Sequence, residues 1–531
     1  MQRYLFVILF VVTLLTPFAL RAFMSTDDET TGGVAVSGEV RRLIIVSPHN
    51  QDIRREFALA FDEWHQVNYG ERVVLDYRNL GGTNEIERSL ADAYAGYRTE
   101  TGMVRESDVN PPFHMVWGGG EYSFNVVLGR LGVLKPVNLP PGLLEEALGE
   151  NDIAGRPLYE RTKDGSQPRW VGVCLSAFGI VYSPPLIDRL AIPRPKTWQD
   201  LTGPELAGLV ALADPTASGS AAVSYMMVIQ RAMADAEEAF FAEHPNLPAA
   251  EAKKLPGYAD ALDAGFREGM RHMTLMAANS RYFTDSASQV LNDVGKGDAA
   301  AGTAIDFYGR VYEGLVGDDR IRYVSPAGAT AINADPIAIL YGVTGEDYEL
   351  ANRFIRFLVS PGAQRLWNLE VGAPGGPRFR ELRRTPIRRD VFTDMAGFTD
   401  PIDPFAETGG FNQRNEWMGP FTDLREIWAA AFIDSRDTLK SSYEHILSIE
   451  DAARRAEAIE ALSTLPTLDP EAAASVQAVS PISWKDALQA RQRREEAEAA
   501  GDANRYAAYE RIRLSKLFRR HYARVADEYA R

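Results

Sequence analysis

The sequence predicts an α/β protein in which strands and helices alternate, followed by a region that is helical throughout. Three observations predict it. Strand–helix units succeed one another three times over residues 41–131, a loop rich in Gly, Ser or His follows each strand, and from Phe421 onward the pattern is helical and heavily charged. Successive βα units imply a parallel sheet with helices on its faces. Ligands bind such sheets at the C-terminal ends of the strands.

Residues 41–47 (RRLIIVS) read as the first strand, and Pro48-His49-Asn50 as its turn. The helix that follows carries Ile53, Phe57, Phe61 and Trp64 on one face, at helical spacing. Residues 72–77 (RVVLDY) form a second strand, and Gly81-Gly82-Thr83 opens a helix with Ile86, Leu90 and Tyr94 in register. Residues 113–117 (FHMVW) form a third, ending in Gly118-Gly119-Gly120 ahead of a helix over 121–131. Prolines at 136, 140, 141, 157 and 168 mark a passage between lobes, and residues 171–182 (VGVCLSAFGIVY) are a long apolar strand or strand pair.

The stretch 209–227 is the centre of the pattern. A buried strand ends at Asp214-Pro215, and Ser218-Gly219-Ser220 opens a helix rich in Ala, Val and Met. A Ser at a helix start satisfies orphan N–H groups, and Gly lets backbone approach a ligand. A helix N-terminus after a small-residue loop suits an anion. Residues 232–273 are helical with a proline-marked break near 245–256, and Asn279-Ser280 precedes a helix over 286–294. A small-residue strand over 299–305 leads to Asp306-Phe307-Tyr308-Gly309. Residues 323–341 read as two apolar strands around a turn, residues 348–359 as an amphipathic helix, and 378–389, with six arginines, as a solvated face.

The chain has 531 residues, 45% of them hydrophobic and 10% aromatic, which predicts two or three globular domains. A net charge of −16 argues against nucleic acid as a partner. The single cysteine, Cys174, excludes an intramolecular disulfide and a Cys-based zinc site, and its apolar surroundings predict burial. No nucleophile elbow, H-E-x-x-H or P-loop is found, and the seven histidines lack metal spacing, so the chain reads as a binder and not an enzyme. Arg3 followed by an apolar stretch over 4–20 has the plan of a secretory signal. Leu20-Arg21-Ala22 is a poor cleavage region, which leaves an uncleaved inner-membrane anchor as the alternative; no cysteine follows to make a lipoprotein.

Taken in order, these segments resemble the periplasmic solute-binding proteins of ABC importers, and within them the ferric-iron-binding group. The segments are IIVSPHNQ, WVGVCLSAFGIVYSPPLI, PKTWQDL, DPTASGS, ANS…GKGDAAAGTAIDFYG and PIAILYG…ANRFIRFLVSPGAQRLW, spread over residues 42–368. The resemblance implies a two-lobed α/β fold with hinge strands that closes over a ligand. It places lobe 1 at 41–170 and 325–400 and lobe 2 at 171–324. An N-terminal signal or anchor (1–24), a linker (25–40) and a helical C-terminal extension (401–531) complete the layout.

The resemblance also implies a site. His49 and Tyr308 match iron-binding positions; Phe307 stands where the family has a second tyrosine, and the Gly118–Gly120 turn lacks the family's carboxylate, with Glu121 adjacent. Ser218, Gly219, Ser220 and Asn279 match positions that hold a bridging anion. Gly82 and Thr83 add a second helix start, Gly119 and Gly120 line the turn, and Asp306 sits beside the pocket, able to pair with a cationic part of a ligand. Ferric iron wants several anionic oxygens. One phenol and one imidazole are a thin shell, so the expected ligand is a small anion, a phosphonate-like solute or a ferric-iron–anion complex, with iron only as transported cargo and no resident cofactor. The implied partner is the importer's permease and the implied location the periplasm or cell surface. A membrane-anchored sensor or scaffold, docking a partner through its C-terminal helices, is the competing reading.

Overall fold

The computed structural model describes residues 40–99, 104–105, 109–406, 411, 413–466 and 482–530. The expected signal or anchor over 1–24 and nearly all of the linker lie outside the described residues. Contacts between Cα atoms group the chain into two units, residues 1–42 with 62–74 and residues 43–61 with 75–531. In the first, the Asp62 carboxylate accepts from Arg72 Nε at 2.7 Å and from the Val73 N–H at 2.9 Å. The residues that line the site all belong to the second.

Two sheets organise the fold. The larger runs β2-β1-β3-β12-β6-β5, with β4 paired to β12, and the smaller runs β11-β7-β10-β8-β9. The strands are β1 (Arg41–Val46), β2 (Val73–Arg78), β3 (Met115–Trp117), β4 (Leu134–Lys135), β5 (Tyr159–Arg161), β6 (Pro168–Ser176), β7 (Phe178–Tyr182), β8 (Val210–Ala213), β9 (Ser280–Thr284), β10 (Ala301–Ile305), β11 (Arg322–Val324) and β12 (Asn333–Leu340). The expected parallel pairing holds for β1 with β3 and for β8 with β9 and β10, whereas β12 runs antiparallel to β3 and β6.

The apolar run 171–182 is a strand pair that changes sheet at Ala177. The chain returns between β11 and β12. These were expected as two strands around one turn, but they lie in different sheets. The physical reason is Thr330, in the connection. Its hydroxyl donates to the Phe178 carbonyl at 2.6 Å and accepts from the Phe178 N–H at 3.0 Å, binding one crossing to the other.

Helices follow the strands: α1 (Gln51–Tyr69), α2 (Thr83–Tyr94), α3 (Gly219–Ala242), α4 (Pro256–Ala278), α5 (Ala287–Lys296), α6 (Asp306–Val316) and α7 (Gly345–Leu358). The α1 stripe buries Ile53, Phe57 and Phe61, with the Phe57 ring 5.4 Å from Trp117 and Phe61 4.8 Å from Phe354. Cys174 is fully buried in β6, as its neighbours implied.

The C-terminal region forms α8 (Phe421–Trp428), α9 (Arg436–Leu447), α10 (Ala452–Ser463), α11 (Trp484–Ala499) and α12 (Ala503–Tyr529). It shares one continuous apolar cluster with β7, β8, β10, α3 and α4. Trp428 stands 5.9 Å from Tyr225 of α3, and Trp484 stands 5.6 Å from Phe266 of α4. Apolar stripes at helical spacing, masked in composition by many charges, bury these helices against the smaller sheet's layer.

Candidate functional site

The loops after β1, β2 and β3 and those after β8, β9 and β10 meet around a cavity of about 560 Å³. Strand ends of both sheets therefore supply one pocket, as the switch-point rule for α/β sheets expects. His49, Gly82, Thr83, Gly119, Gly120, Ser218, Gly219, Ser220 and Tyr308 all line it.

Two expected residues do not. Asn279 is fully buried at the end of α4, and its amide donates to the carbonyls of Leu201 and Gly203 at 3.0 and 2.8 Å. It fastens a loop instead of facing the cavity. Asp306 is buried at the start of α6, where its carboxylate accepts from the Phe307 N–H at 2.8 Å. Burial raises its pKa, with Arg310 and Arg384 opposing. It bonds the next N–H in its own helix's first turn and offers no open carboxylate to a ligand.

The solvated-face reading of 378–389 holds for Arg378 and Arg380, which are exposed, but fails for Arg384 and Arg388. Arg384 is 1% exposed, and Arg388 is buried as well. A guanidinium enters a core only with partners, and Arg384 has them. Its Nη2 donates to Asp335 Oδ2 at 2.7 Å, with Ser176 Oγ as a second acceptor, and its Cζ lies 4.3 Å from the Phe307 ring centre. Phe307, where the family has a tyrosine, thus gives the guanidinium an aromatic face. Arg388 pairs with Asp390 and Glu146, and Arg383 with Asp400.

Asp335 is the hub. Its Oδ1 accepts from the N–H groups of Gly119 and Gly120 at 3.1 and 3.2 Å. Gly118, Gly119 and Gly120 have φ of +91°, +112° and +81°, a left-handed run open to glycine at little cost. Consecutive N–H groups in this conformation make a nest for an anion. Here the protein's own carboxylate fills it, so Gly119 and Gly120 line the cavity without offering it those N–H groups. Burial opposes ionisation of Asp335, but Arg384 and His49 outweigh it and hold the carboxyl well below its usual range.

His49 is bound into the same cluster. Its Nε2 lies 2.9 Å from both Asp335 Oδ2 and Arg384 Nη1, and Nδ1 lies 3.1 Å from Ser47 Oγ. Nε2 serves one of the two at a time, donating as N–H or accepting as a lone pair. Burial lowers the His49 pKa; the hydrogen bond and charge of Asp335 oppose this, and Arg384 and Arg54 add to it. Burial also raises that of Tyr308. Among the described residues no group of three or more His, Cys, Asp or Glu is placed to hold a metal ion.

The rest of the cavity is built from helix starts. Ser218 caps α3, accepting from the Ala221 N–H at 3.3 Å, and a Cβ added at Gly219 would meet open space. α2 begins at Thr83, and α5 begins beside Ser286 and Ser288, residues whose contribution the sequence did not suggest. The first N–H groups of a helix lack partners within it and carry its positive dipole end. A buried pair, Arg156 and Glu121, stands at the wall with Arg156 Nη2 2.7 Å from Glu121 Oε2. Glu121 drew notice in the sequence only as the acid next to the Gly118–Gly120 turn. Its partner lies 35 positions away, so local spacing carried no sign of it. Gln413, Met418, Phe421, Thr422 and Arg425 also line the cavity, all from beyond the stretch that carried the family resemblance.

The strand ends of two sheets thus contribute to one cavity. Residues 142–386 match the family model for bacterial extracellular solute-binding proteins. No curated protein sequence matches the chain. Among solved structures, the periplasmic binding protein AfuA from Actinobacillus pleuropneumoniae, with fructose-6-phosphate bound, is similar at 16% identity and a TM-score of 0.46, covering 75% of this chain and 99% of that one. Iron-bound HitA from Pseudomonas aeruginosa is similar at 14% identity and a TM-score of 0.44, covering 70% and 92%. The ferric binding protein from Campylobacter jejuni is similar at 16% and 0.43, covering 75% and 98%. At these scores the likenesses do not extend to what this chain binds. No helix among the described residues is long and apolar enough to cross a membrane.

Proposed function

We propose that the chain captures a small organic anion, of phosphonate or phosphate-monoester type, and delivers it to the permease of an ABC importer. One observation carries this reading: the N-termini of α2, α3 and α5, from both sheets, face a single cavity of about 560 Å³. Converging helix starts favour negative charge. Pockets of about 300–1,000 Å³ hold organic molecules, and a bare inorganic anion would leave most of this one empty. Glu87, whose pKa burial raises, lines the same cavity and suits a hydroxyl or amine on the ligand's far end.

In this reading the larger sheet, β1 to β6 with β12, belongs to one lobe and the smaller, β7 to β11, to the other, hinged at Ala177 and at the connection from β11 to β12; residues 171–176, expected in the second lobe, thus fall in the first. The apolar N-terminal segment serves export or anchoring, and the mass of the mature protein distinguishes the two. A bare ferric ion suits the site poorly, because the His49 ring nitrogen meets a guanidinium. A ferric–anion complex is the second form the cargo takes if the first test fails.

The test is a thermal-shift series with inorganic phosphate, 2-aminoethylphosphonate, glucose 6-phosphate and ferric citrate. Stabilisation by a phosphonate or phosphate ester is expected, lost in Ser218→Ala and Gly219→Val. No shift with any of the anions, or unchanged affinity in both variants, overturns the proposal.

A further inference from the structure

We propose that residues 413–425 complete the ligand site and that Arg425 is its cationic anchor, a role resting on the anion reading above. These residues lie beyond the matched family segment, which ends at residue 386. They are nevertheless fastened to both sides of the cavity. The Gln413 carbonyl accepts from Arg156 Nη1 at 3.3 Å, and the Phe421 ring stands 5.1 Å from Tyr122. On the other side the Gln230 amide of α3 grips the Arg414 backbone, accepting from its N–H at 3.1 Å and donating to its carbonyl at 3.4 Å.

Arg425 is held differently from the other arginines of the cavity. Arg384 and Arg156 each meet a carboxylate within 3 Å. Arg425 donates instead to two neutral carbonyls, Pro215 O from Nε and Thr216 O from Nη2, both at 2.8 Å. Among the described residues it forms no ion pair within 4.0 Å. The acids that influence it, Glu426, Glu87 and Asp214, act from longer range, and burial lowers its pKa despite them. A half-buried guanidinium without a carboxylate in contact is costly, and this one lines the cavity.

Its two carbonyl partners fix where it points. Pro215 and Thr216 lead directly into Ser218–Ser220, so the guanidinium is locked next to the start of α3. A planar guanidinium and a helix N-terminus meet a tetrahedral anion from two directions, and the guanidinium adds charge-assisted hydrogen bonds. Thr422, one turn earlier on α8, is exposed on the same wall.

The test is titration calorimetry on the full chain with 2-aminoethylphosphonate and glucose 6-phosphate, at several salt concentrations. Arg425→Gln is expected to weaken binding by about 10–100-fold, the loss typical of one charge-assisted pair, and to reduce its salt dependence. Arg425→Lys is expected to retain the salt dependence with weaker binding. Thr422→Asp leaves the Arg425 bonds to the loop in place, adds a negative charge beside it, and is expected to weaken binding similarly. Wild-type affinity and salt dependence in Arg425→Gln overturn the proposal. Should that variant fail to fold, undiminished affinity in Thr422→Asp does so. Absence of binding in the wild type instead removes the anion reading itself.

Discussion

Asp335 Oδ2 lies 2.7 Å from Arg384 Nη2, and both residues are buried beneath the cavity floor. The pair joins β12 to the basic segment that follows α7, and the nest at Gly119 and Gly120 satisfies the carboxylate's other oxygen. A positive side chain and an anion nest, both of which suggest ligand binding when seen singly, here neutralise one carboxylate.

Removing one member should leave a buried, uncompensated charge. Arg384→Gln or Asp335→Asn is expected to cost about 3–5 kcal/mol in stability. The double variant should cost much less than the sum, because the two residues share one interaction. Denaturant titration of the four proteins checks this, and simple additivity would refute the coupling.

Acid should destabilise the fold in two stages. The folded-state pKa of His49 is below its ordinary 6.5, so between the two values the unfolded chain binds more protons. Stability then rises with pH through that window and falls as pH drops below about 6.5. His114, His272 and His521, also lowered chiefly by burial, act in the same direction. Asp335, held below its ordinary 3.8, contributes stability that is complete above that value and lost as pH falls through its folded-state pKa. The raised carboxyls of Glu87, Glu121 and Asp306 act oppositely, so the single variant is the cleaner measure. Unfolding midpoints for His49→Gln should show a shallower pH slope just below about pH 6.5 than the native chain; an identical slope would remove His49 from the account.

The glycine turn separates strain from crowding. A Cβ at Gly118 would lie 2.9 Å from the His49 ring, whereas one at Gly120 would meet nothing within 4 Å, although both have positive φ. Gly120→Ala should cost about 1–2 kcal/mol, the backbone term alone. Gly118→Ala should cost more, about 2–3 kcal/mol, because the imidazole must also move. Equal losses in thermal or chemical denaturation would show that the ring yields freely.

Much of this was readable in the residue pattern. The α1 stripe of Ile53, Phe57 and Phe61, the strand over 209–213 and the helix start at Ser218 follow from local periodicity and capping, and local rules suffice there. Arg384 was not readable. It sits among six arginines whose composition favours solvent, and its partner Asp335 is 49 positions away. Asn279 misled for the mirror-image reason, since an amide after a helix fits a ligand site and a loop clamp equally well. Arg425 lies outside the stretch with a recognisable counterpart, and only tertiary packing of α8 brings it to the cavity.

The helical C-terminal region is a docking module only on the competing reading, and its apolar packing against the rest of the chain supports a different expectation. Trp428 is fully buried against Tyr225 of α3. Trp428→Ala should cost about 3–5 kcal/mol by transfer and cavity terms. Ile512→Ala, at a position 57% exposed, should change stability by no more than about 0.5 kcal/mol. Comparable, small effects at both positions would mean that these helices are held loosely.

Iron chemistry supplies the last prediction. Ferric binding through a tyrosine gives a visible phenolate-to-metal absorption, and that requires the phenol to lose its proton. Burial works against this at Tyr308, with Arg384 opposing and Asp335 reinforcing the effect. His49 Nε2 stands 2.9 Å from the Arg384 guanidinium, which repels a second cation. Hard trivalent ions take anionic oxygen donors, and Tyr308 would have to supply its share at a raised pKa. Addition of ferric citrate should therefore produce no coloured complex and no thermal stabilisation beyond that of citrate alone. A red-shifted band that disappears in Tyr308→Phe would reverse the assignment of the cargo, while leaving the role of the Asp335–Arg384 pair in the fold untouched.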